Sequence, residues 1–488
     1  AFADDLVLLA DSAKDANRLL SEASQFFADR GLELNVAKCC ALSTGVVPSK
    51  KKCSARLRSY SRLNGAHIRQ VAIGDVFKYL GNHFAFDGVS DISLEELNSQ
   101  INNLMKAPLN SQINNLMKAP LKPWQKFKIL RQTSDTIGWI HCLQSPSVSN
   151  KVLREADRKI KRAVKSILHL PVTIADSSIY ASQRDGGLGV FCFSRKIPVI
   201  LRSRWESLQE MADPALGAVL LQSERCMDRV SRLIKEDWRS DSEIKNSFRR
   251  SLENSWCGGG IHQVGIIKLA SKYLLHPPAF WTGRDYVSTI QLRLNALPSR
   301  GLPSNPPDQR MCRTGCGRSE SLSHILQRCG FVQGHRISRH NHVARKIRRL
   351  AESKGWEVRE EPTIRTNEQV FKPDLLLIRD NELIVCDVSI NWEGPSHFPH
   401  TIRINLISMP LQVLSNGCNN DFPRQTVRFL PFILGARGSW CGDNRSLVDA
   451  LELTQRNIED LILTCLTGSL IIYKSFMKSV WRRTVAGD

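Results

Sequence analysis

Apolar positions in this chain keep helical spacing in some stretches and run together in others, and the changes of period mark out its elements. An unbroken apolar run, Leu6–Leu9, stands between Asp4-Asp5 and Ala10-Asp11 and reads as a short buried strand. Ser12 to Asp15 has the form of a capping box, and Ala16, Leu19, Leu20, Ala23, Phe26 and Phe27 keep helical period up to a stop at Gly31. Val36 to Leu42 reads as a strand, while the basic stretch Lys50 to Arg62 has no period and reads as a loop. Two short strands flanking a Gly74-Asp75 turn are expected between Val71 and Phe84. The clearest helix is Lys151 to Leu168. There Val152, Leu153, Ala156, Ile160, Ala163, Val164, Ile167 and Leu168 form one stripe, and Pro171 closes the segment. Arg195 to Ser299 reads as helical and basic, GLPSNPPD (Gly301–Asp308) as a linker, and Leu447 to Leu466 again as helix.

One repeat interrupts this order. NSQINNLMKAPL (Asn98–Leu109) recurs unchanged as Asn110–Leu121. A single duplication is not a solenoid. Pro108 and Pro120 break any helix through it, so the extra copy is expected to loop out.

Composition narrows the partner. Lys and Arg number 68 against 47 Asp and Glu, a net charge of +21 spread along the chain rather than gathered in one tail. Such a surface suits a polyanion, with counterion release supplying much of the affinity. No run of 18 apolar residues occurs, and the most apolar late stretch, Leu461–Tyr473, carries Thr, Ser and Gly, so no membrane partner is expected. The 14 cysteines are irregularly spaced except in one place, which argues for a reducing compartment over a disulfide framework.

That one place is Cys312-x3-Cys316-x7-His324-x4-Cys329. Three thiolates and one imidazole can close a tetrahedral Zn²⁺ site. Gly315 and Gly317 flank Cys316, where a tight turn needs room, and Arg310, Arg313, Arg318 and Arg328 favour thiolates and nearby phosphate. A second cluster is FKPDLLLIRDNELIVCDVSI (Phe371–Ile390). Asp374 opens one apolar strand, Leu375–Ile378, and Asp387 lies in the next, Leu383–Ile390. A hairpin folded about Asp380-Asn381 sets the two carboxylates directly opposite, with Cα atoms about 4.5–5.5 Å apart. Like charges so placed cost stability unless a cation lies between them. At the start of the chain, Asp4 and Asp5 form a further hard-ligand pair of the kind that holds Mg²⁺.

Several blocks, in order, resemble the reverse transcriptases of non-LTR retrotransposons. These are FADD (Phe2–Asp5), GLELNVAKCCAL (Gly31–Leu42) and FKYLGNHF (Phe77–Phe84), then GGLG (Gly186–Gly189), the Cys-Cys-His-Cys knuckle and HRISRHNHVARKI (His335–Ile347). The stretch around Pro373-Asp374 and Asp387 is similar to the PD-(D/E)xK nuclease of the group that inserts into ribosomal DNA. The resemblance implies that Asp4 and Asp5 are Mg²⁺ ligands of a polymerase palm, with Lys38 near the incoming nucleotide. It implies a primer-gripping hairpin at Val71–Phe84. It also implies a nuclease Mg²⁺ at Asp374 and Asp387, and nucleic-acid contacts from Arg313, Arg318, Arg328, Arg336 and Arg339. His335, His340 and His342 are expected to be structural or backbone-contacting rather than metal ligands.

Two departures qualify it. The family's third palm carboxylate and nucleotide pocket precede FADD and are not in this sequence, so the chain as written is expected to be a fragment that does not polymerise. The nuclease lysine is missing too: Ser389 stands two positions after Asp387, no Lys follows before Lys474, and Arg403 or Lys372 is the nearest substitute. Arginine stays protonated and is a poor proton shuttle.

The expected architecture is multidomain, α/β and α+β. It comprises a partial palm (1–90), a helical thumb (91–175), a helical linker (176–310), a zinc knuckle (311–345) and a restriction-endonuclease-like α/β domain (346–488). The expected role is target-primed reverse transcription on element RNA and target double-stranded DNA in the nucleus. A nucleic-acid-binding remnant without catalysis is the alternative.

Overall fold

A computed structural model describes residues 6–42, 113–135, 150–210, 227–235, 238–365, 370–394 and 426–486, with short strands between 44 and 85. The chain divides into two compact units. One comprises Ala1–Asn110, Ile137–Leu153 and Arg204–Val230; the other comprises Ser111–Thr136, Arg154–Ser203 and Ser231–Asp488.

In the first unit, helix α1 (Ala13–Ala28) forms as its pattern predicts. The Ser12 hydroxyl accepts from Asp15 N–H (3.1 Å) and donates to the Asp15 carboxylate (2.6 Å). At the far end Leu32 N–H reaches Phe27 O and Gly31 N–H reaches Ala28 O, a paired closure that needs Gly31 at φ +70°. Other expectations change. Leu6–Leu9 is exposed, Leu9 at 83%, and among the described residues no strand ladders with it. Val36–Lys38 is a 3-10 turn rather than strand, because the Asn35 side chain accepts from Ala37 N–H and caps it; only Cys40–Ala41 is extended. Lys52–Ala55, expected as loop, pairs antiparallel with Thr44–Val47. The hairpin near Phe77 is real but displaced. Val76–Tyr79 pairs with Asn82–Ala85, so the connection falls at positions 80 and 81 rather than at Gly74-Asp75.

The second unit begins at position 111, so the described part of the repeat is the end of its second copy. Positions 113–118 are helical, the helix breaks around Pro120, and a new one runs Pro123–Asp135. Helix α2 (Asn150–Ile167), which lies in this unit from Arg154 onward, buries seven residues of the apolar stripe, and Leu168 just beyond it is the eighth, each 5% exposed or less. The Gly186–Gly189 turn is held from below by Arg293 of helix α3 (Gly283–Arg293). This fully buried guanidinium donates to Gly186 O (3.0 Å) and Gln183 O (2.8 Å). Gly186 (φ +95°) and Gly189 (φ +69°) adopt the left-handed backbone that the turn requires.

Beyond the linker come helix α4 (Leu322–Gln327), helix α5 (Gln333–Glu352) and a sheet. The sheet's strands, in spatial order, are β5 (Thr426–Phe429), β3 (Glu382–Cys386), β2 (Leu375–Arg379) and β1 (Glu357–Glu360). β2 pairs antiparallel with both β3 and β1, while β5 runs parallel to β3. Leu376, Ile378, Leu383, Val385 and Phe429 pack with Ile364 and Phe371 into one core, and α5 lies against β1 and β2. With both faces covered, β2 and β3 read as continuous apolar runs. β4 (Val388–Asn391) continues from β3 and pairs parallel with β6 (Phe432–Gly435).

The C-terminal helical pattern is two helices, not one: α6 (Asn444–Ala450) and α7 (Gln455–Ala486). Glu452 at φ +49° turns the chain between them, and Thr454 and Asn457 cap α7 reciprocally. By length and composition Gln455–Trp481 could cross a membrane. Here it packs along α5, with Leu461, Cys465, Leu466, Ser469 and Phe476 fully buried, as the core helix of the unit.

Candidate functional site

The Cys/His cluster is assembled by a short hairpin and a helix. Met311 bridges Ser319, and Cys312 N–H donates to Arg318 O (2.8 Å), which turns the chain through Gly315 (φ +75°) and Gly317 (φ +70°). Helix α4, capped by Ser321, then presents His324, and Cys329 N–H closes back on His324 O (2.9 Å). The four ligand atoms of Cys312, Cys316, His324 and Cys329 lie within 4.8 Å of one another, with Cys316 Sγ 3.0 Å from His324 Nε2.

Burial pushes the Cys312 thiol up to about 11, with Cys316 and Cys329 adding to it. Cys316, little buried, is held below its ordinary value by hydrogen bonds from Cys312, Thr314, Arg318 N–H and Cys329. Burial, then Arg318, Arg336 and Arg328, keep His324 neutral to lower pH than usual, the state in which imidazole can ligate. Three sulfur donors and one nitrogen donor brought this close can hold a metal ion.

The arginines around the cluster divide. Arg318 and Arg328 are exposed. Arg313 is committed inward: its guanidinium grips the fully buried Glu320 (2.6 Å at the closest), which also accepts from the N–H groups of Arg313 and Arg300. Arg336 donates to Cys329 O (2.6 Å). Arg339, 4% exposed, donates to Ser469 Oγ of α7 (2.9 Å) and to Leu326 O (3.3 Å), so it fastens helices together and has no free face for a phosphate.

The second cluster stands at the base of the β2–β3 hairpin. Asp380 takes φ +50° in a two-residue turn, and the pairs run from Arg379↔Glu382 to Leu375↔Cys386. One step further that register sets Asp374 opposite Asp387, as the hydrophobic pattern had indicated. Asp374 Oδ2 accepts from Val388 N–H (2.7 Å) and from His340 Nε2 (3.2 Å), and the same Nε2 lies 2.9 Å from Val388 O. Burial works against the Asp374 anion, but His340 and Val388 N–H hold its pKa below the usual value. Asp387 responds in the opposite sense. Burial and the facing Asp374, whose carboxylate it hydrogen-bonds, push it up to about 7. Its bond to Asp374 takes His340 up to about 9. An imidazolium and a shared carboxyl proton thus neutralise the pair, which is where a divalent ion would do the same work.

Sequence reasoning had treated His340 as structural. It does contact backbone, at Val388 O, but it also touches Asp374, and its place within HRISRHNHVARKI was the available signal. Glu393 was missed altogether. Fully buried six residues past Asp387, it pairs with the buried Arg437 (3.1 Å). Lys372 is exposed beside Pro373. Lys38 is exposed on its 3-10 turn in the first unit, while Asp4, Asp5 and Arg403 lie outside the described residues.

No family model matches the chain. Its similar proteins are retrovirus-related Pol polyproteins. One, from the type-1 retrotransposable element R2 of Popillia japonica, is 38% identical over 491 residues, covering 100% of this chain and 99% of the relative. Two more of the same description and organism are 33% and 32% identical, each over 99% of this chain and over 66% and 77% of their own lengths. The chain belongs to the Pol polyproteins of R2 retrotransposable elements.

Proposed function

We propose that this chain serves the DNA-cutting part of target-primed reverse transcription, cutting double-stranded target DNA at Asp374 and Asp387, while Asp4, Asp5 and Lys38 contribute to the palm of a reverse transcriptase that copies element RNA and do not by themselves polymerise. It is proposed to act in the nucleus. The observation that carries the cutting half is the facing of Asp374 and Asp387, half-buried and hydrogen-bonded to each other at the foot of a hairpin.

Mg²⁺ held between the two carboxylates would polarise a phosphoryl oxygen and make bound water acidic enough to attack. The chain's own groups prepare that place. Val388 N–H and His340 pin one oxygen of Asp374, which fixes the plane of its carboxylate. Asp387, following directly on β3, is fixed by the ladder, its carbonyl accepting from Phe432 N–H (2.8 Å). The exposed Arg318 and Arg328, beside the proposed zinc knuckle, are assigned to phosphate contact.

A second reading rests on the missing lysine: no Lys follows Asp387 until Lys474. On that reading the chain binds nucleic acid without cutting it. Supercoiled plasmid with Mg²⁺ separates the two. Nicking that is lost in Asp374→Ala supports the nuclease; no nicking above a buffer control leaves only the binding role. The knuckle is tested separately. Elemental analysis is expected to find about one zinc per chain, lost in Cys316→Ser, and a folded protein free of zinc would overturn that assignment.

A further inference from the structure

Strand β4 leaves Asp387 with one edge in a ladder, and among the described residues no strand pairs with the other. On the laddered side Phe432 N–H donates to Asp387 O and Ala436 N–H to Asn391 O. The backbone groups along such an edge must find partners or water. Here side chains take the place of a neighbouring strand. Val388 N–H goes to Asp374 and Val388 O faces His340. Two residues on, with its amide turned as the neighbours dictate, Gln327 donates to Ile390 O (3.2 Å) and accepts from Trp392 N–H (3.1 Å). A single carboxamide thereby reproduces the donor–acceptor pair of one strand residue.

The position of Gln327 gives this contact its meaning. It is the last residue of α4, between His324 and Cys329, so it stands inside the loop that the Cys/His cluster closes. That loop is tied to α5 as well, through Arg336 to Cys329 O and Arg339 to Leu326 O, and α5 carries His340 to the carboxylate pair. Two routes therefore run from the cluster to β4: α5 reaches its start through His340, and the Gln327 amide reaches its far end directly.

We propose that Gln327 is a positioning residue: its amide locks the outer edge of β4 to the Cys/His loop and so fixes where Asp387 stands. Closure of the loop by its four ligands is transmitted to the carboxylates through this contact. The inference rests on the reading of Asp374 and Asp387 as a functional pair, but its test does not require cutting.

Hydrogen exchange of the full chain, read by mass spectrometry on a peptide spanning 387–394, measures whether the edge is locked. With zinc supplied, Gln327→Ala is expected to exchange faster in that peptide by on the order of 10-fold, the loss of a bond worth about 1.4 kcal/mol. Peptides within 375–386, held by the β2–β3 ladder, are expected to be unchanged. Gln327→Glu keeps an acceptor for Trp392 N–H and is expected to fall between the two. Stripping zinc from the wild type with a chelator is expected to loosen 387–394 as well, and stripping it from Gln327→Ala to add little more. Equal exchange of 387–394 in wild type and Gln327→Ala overturns the proposal. So does loosening that spreads equally through 375–386, which would make Gln327 merely structural. If the peptide loosens as expected while plasmid remains uncut, the positioning role stands and the nuclease reading fails.

Discussion

Asp387→Asn is expected to abolish Mg²⁺-dependent nicking while making the metal-free protein more stable. Both halves follow from one geometry. The register of β2 and β3 presses two carboxyls together at the hairpin's base, and burial with Asp374 opposite raises Asp387 to about 7. At pH 8 the wild type therefore holds two facing anions with His340 beside them. Asparagine keeps the size and can still donate to Asp374, yet brings no charge. For an acid whose folded pKa is raised, stability is complete below the unfolded value and is lost as pH rises through the folded one. The melting temperature of the variant is expected to exceed that of wild type at pH 8 in EDTA, with the gap closing toward pH 4. Nicking moves the other way. Losing groups that merely support a metal ligand costs 10–100-fold in affinity or activity, so losing a ligand is expected to cost at least about 100-fold. A variant that nicks as well as wild type would remove Asp387 from the chemistry. One that melts lower in EDTA at pH 8 would mean that the pair is not repulsive.

How far the sequence spoke depended on the range of the forces involved. Helix α2 and the β2–β3 hairpin were legible because each is specified within about twenty residues: one by an apolar stripe, the other by two apolar runs around a turn that Asp380 can enter. The Cys/His spacing was legible for the same reason. Val36–Lys38 failed because a local side-chain bond from Asn35 outweighed a strand-like pattern. What could not be read were contacts between residues far apart in sequence. Arg339 looked like one more cation in a basic helix, and only the arrival of α7, with Ser469, shows that it is spent inside. His340 meets Asp374 across thirty-four positions, and nothing local to either predicts it. The relatives supply the family, whereas the roles of individual side chains come from this geometry.

The largest loss of stability is expected from Arg437→Met. Arg437 and Glu393 are 1% and 0% exposed on their side chains and meet at 3.1 Å. The carboxylate also accepts from Arg437 N–H (2.7 Å) and Ser439 N–H (3.3 Å). The guanidinium reaches past it to Gly259 O (2.6 Å), Cys257 O (3.3 Å) and Arg293 O (3.4 Å), and lies over the Trp392 ring. It is thus the joint between the strand leaving Asp387 and the segment near Gly260. Removing it strands a buried anion and several buried carbonyls together, and breaking such a pair typically costs about 3–5 kcal/mol. Little relaxation is available, since a Cβ at Gly435 or Gly260 would already collide with Glu393 or its backbone. Glu393→Gln is expected to cost less, about 1–3 kcal/mol. Its amide oxygen still serves the two N–H groups, and the remaining guanidinium keeps its carbonyl acceptors. Combining Glu393→Gln with Arg437→Met is expected to be less damaging than the sum of the two, because the stranded charge is gone. Urea unfolding followed through tryptophan fluorescence measures the order. Should Glu393→Gln prove worse than Arg437→Met, the carboxylate rather than the guanidinium is the organising member of the pair, and the contacts at Cys257 and Gly259 contribute little.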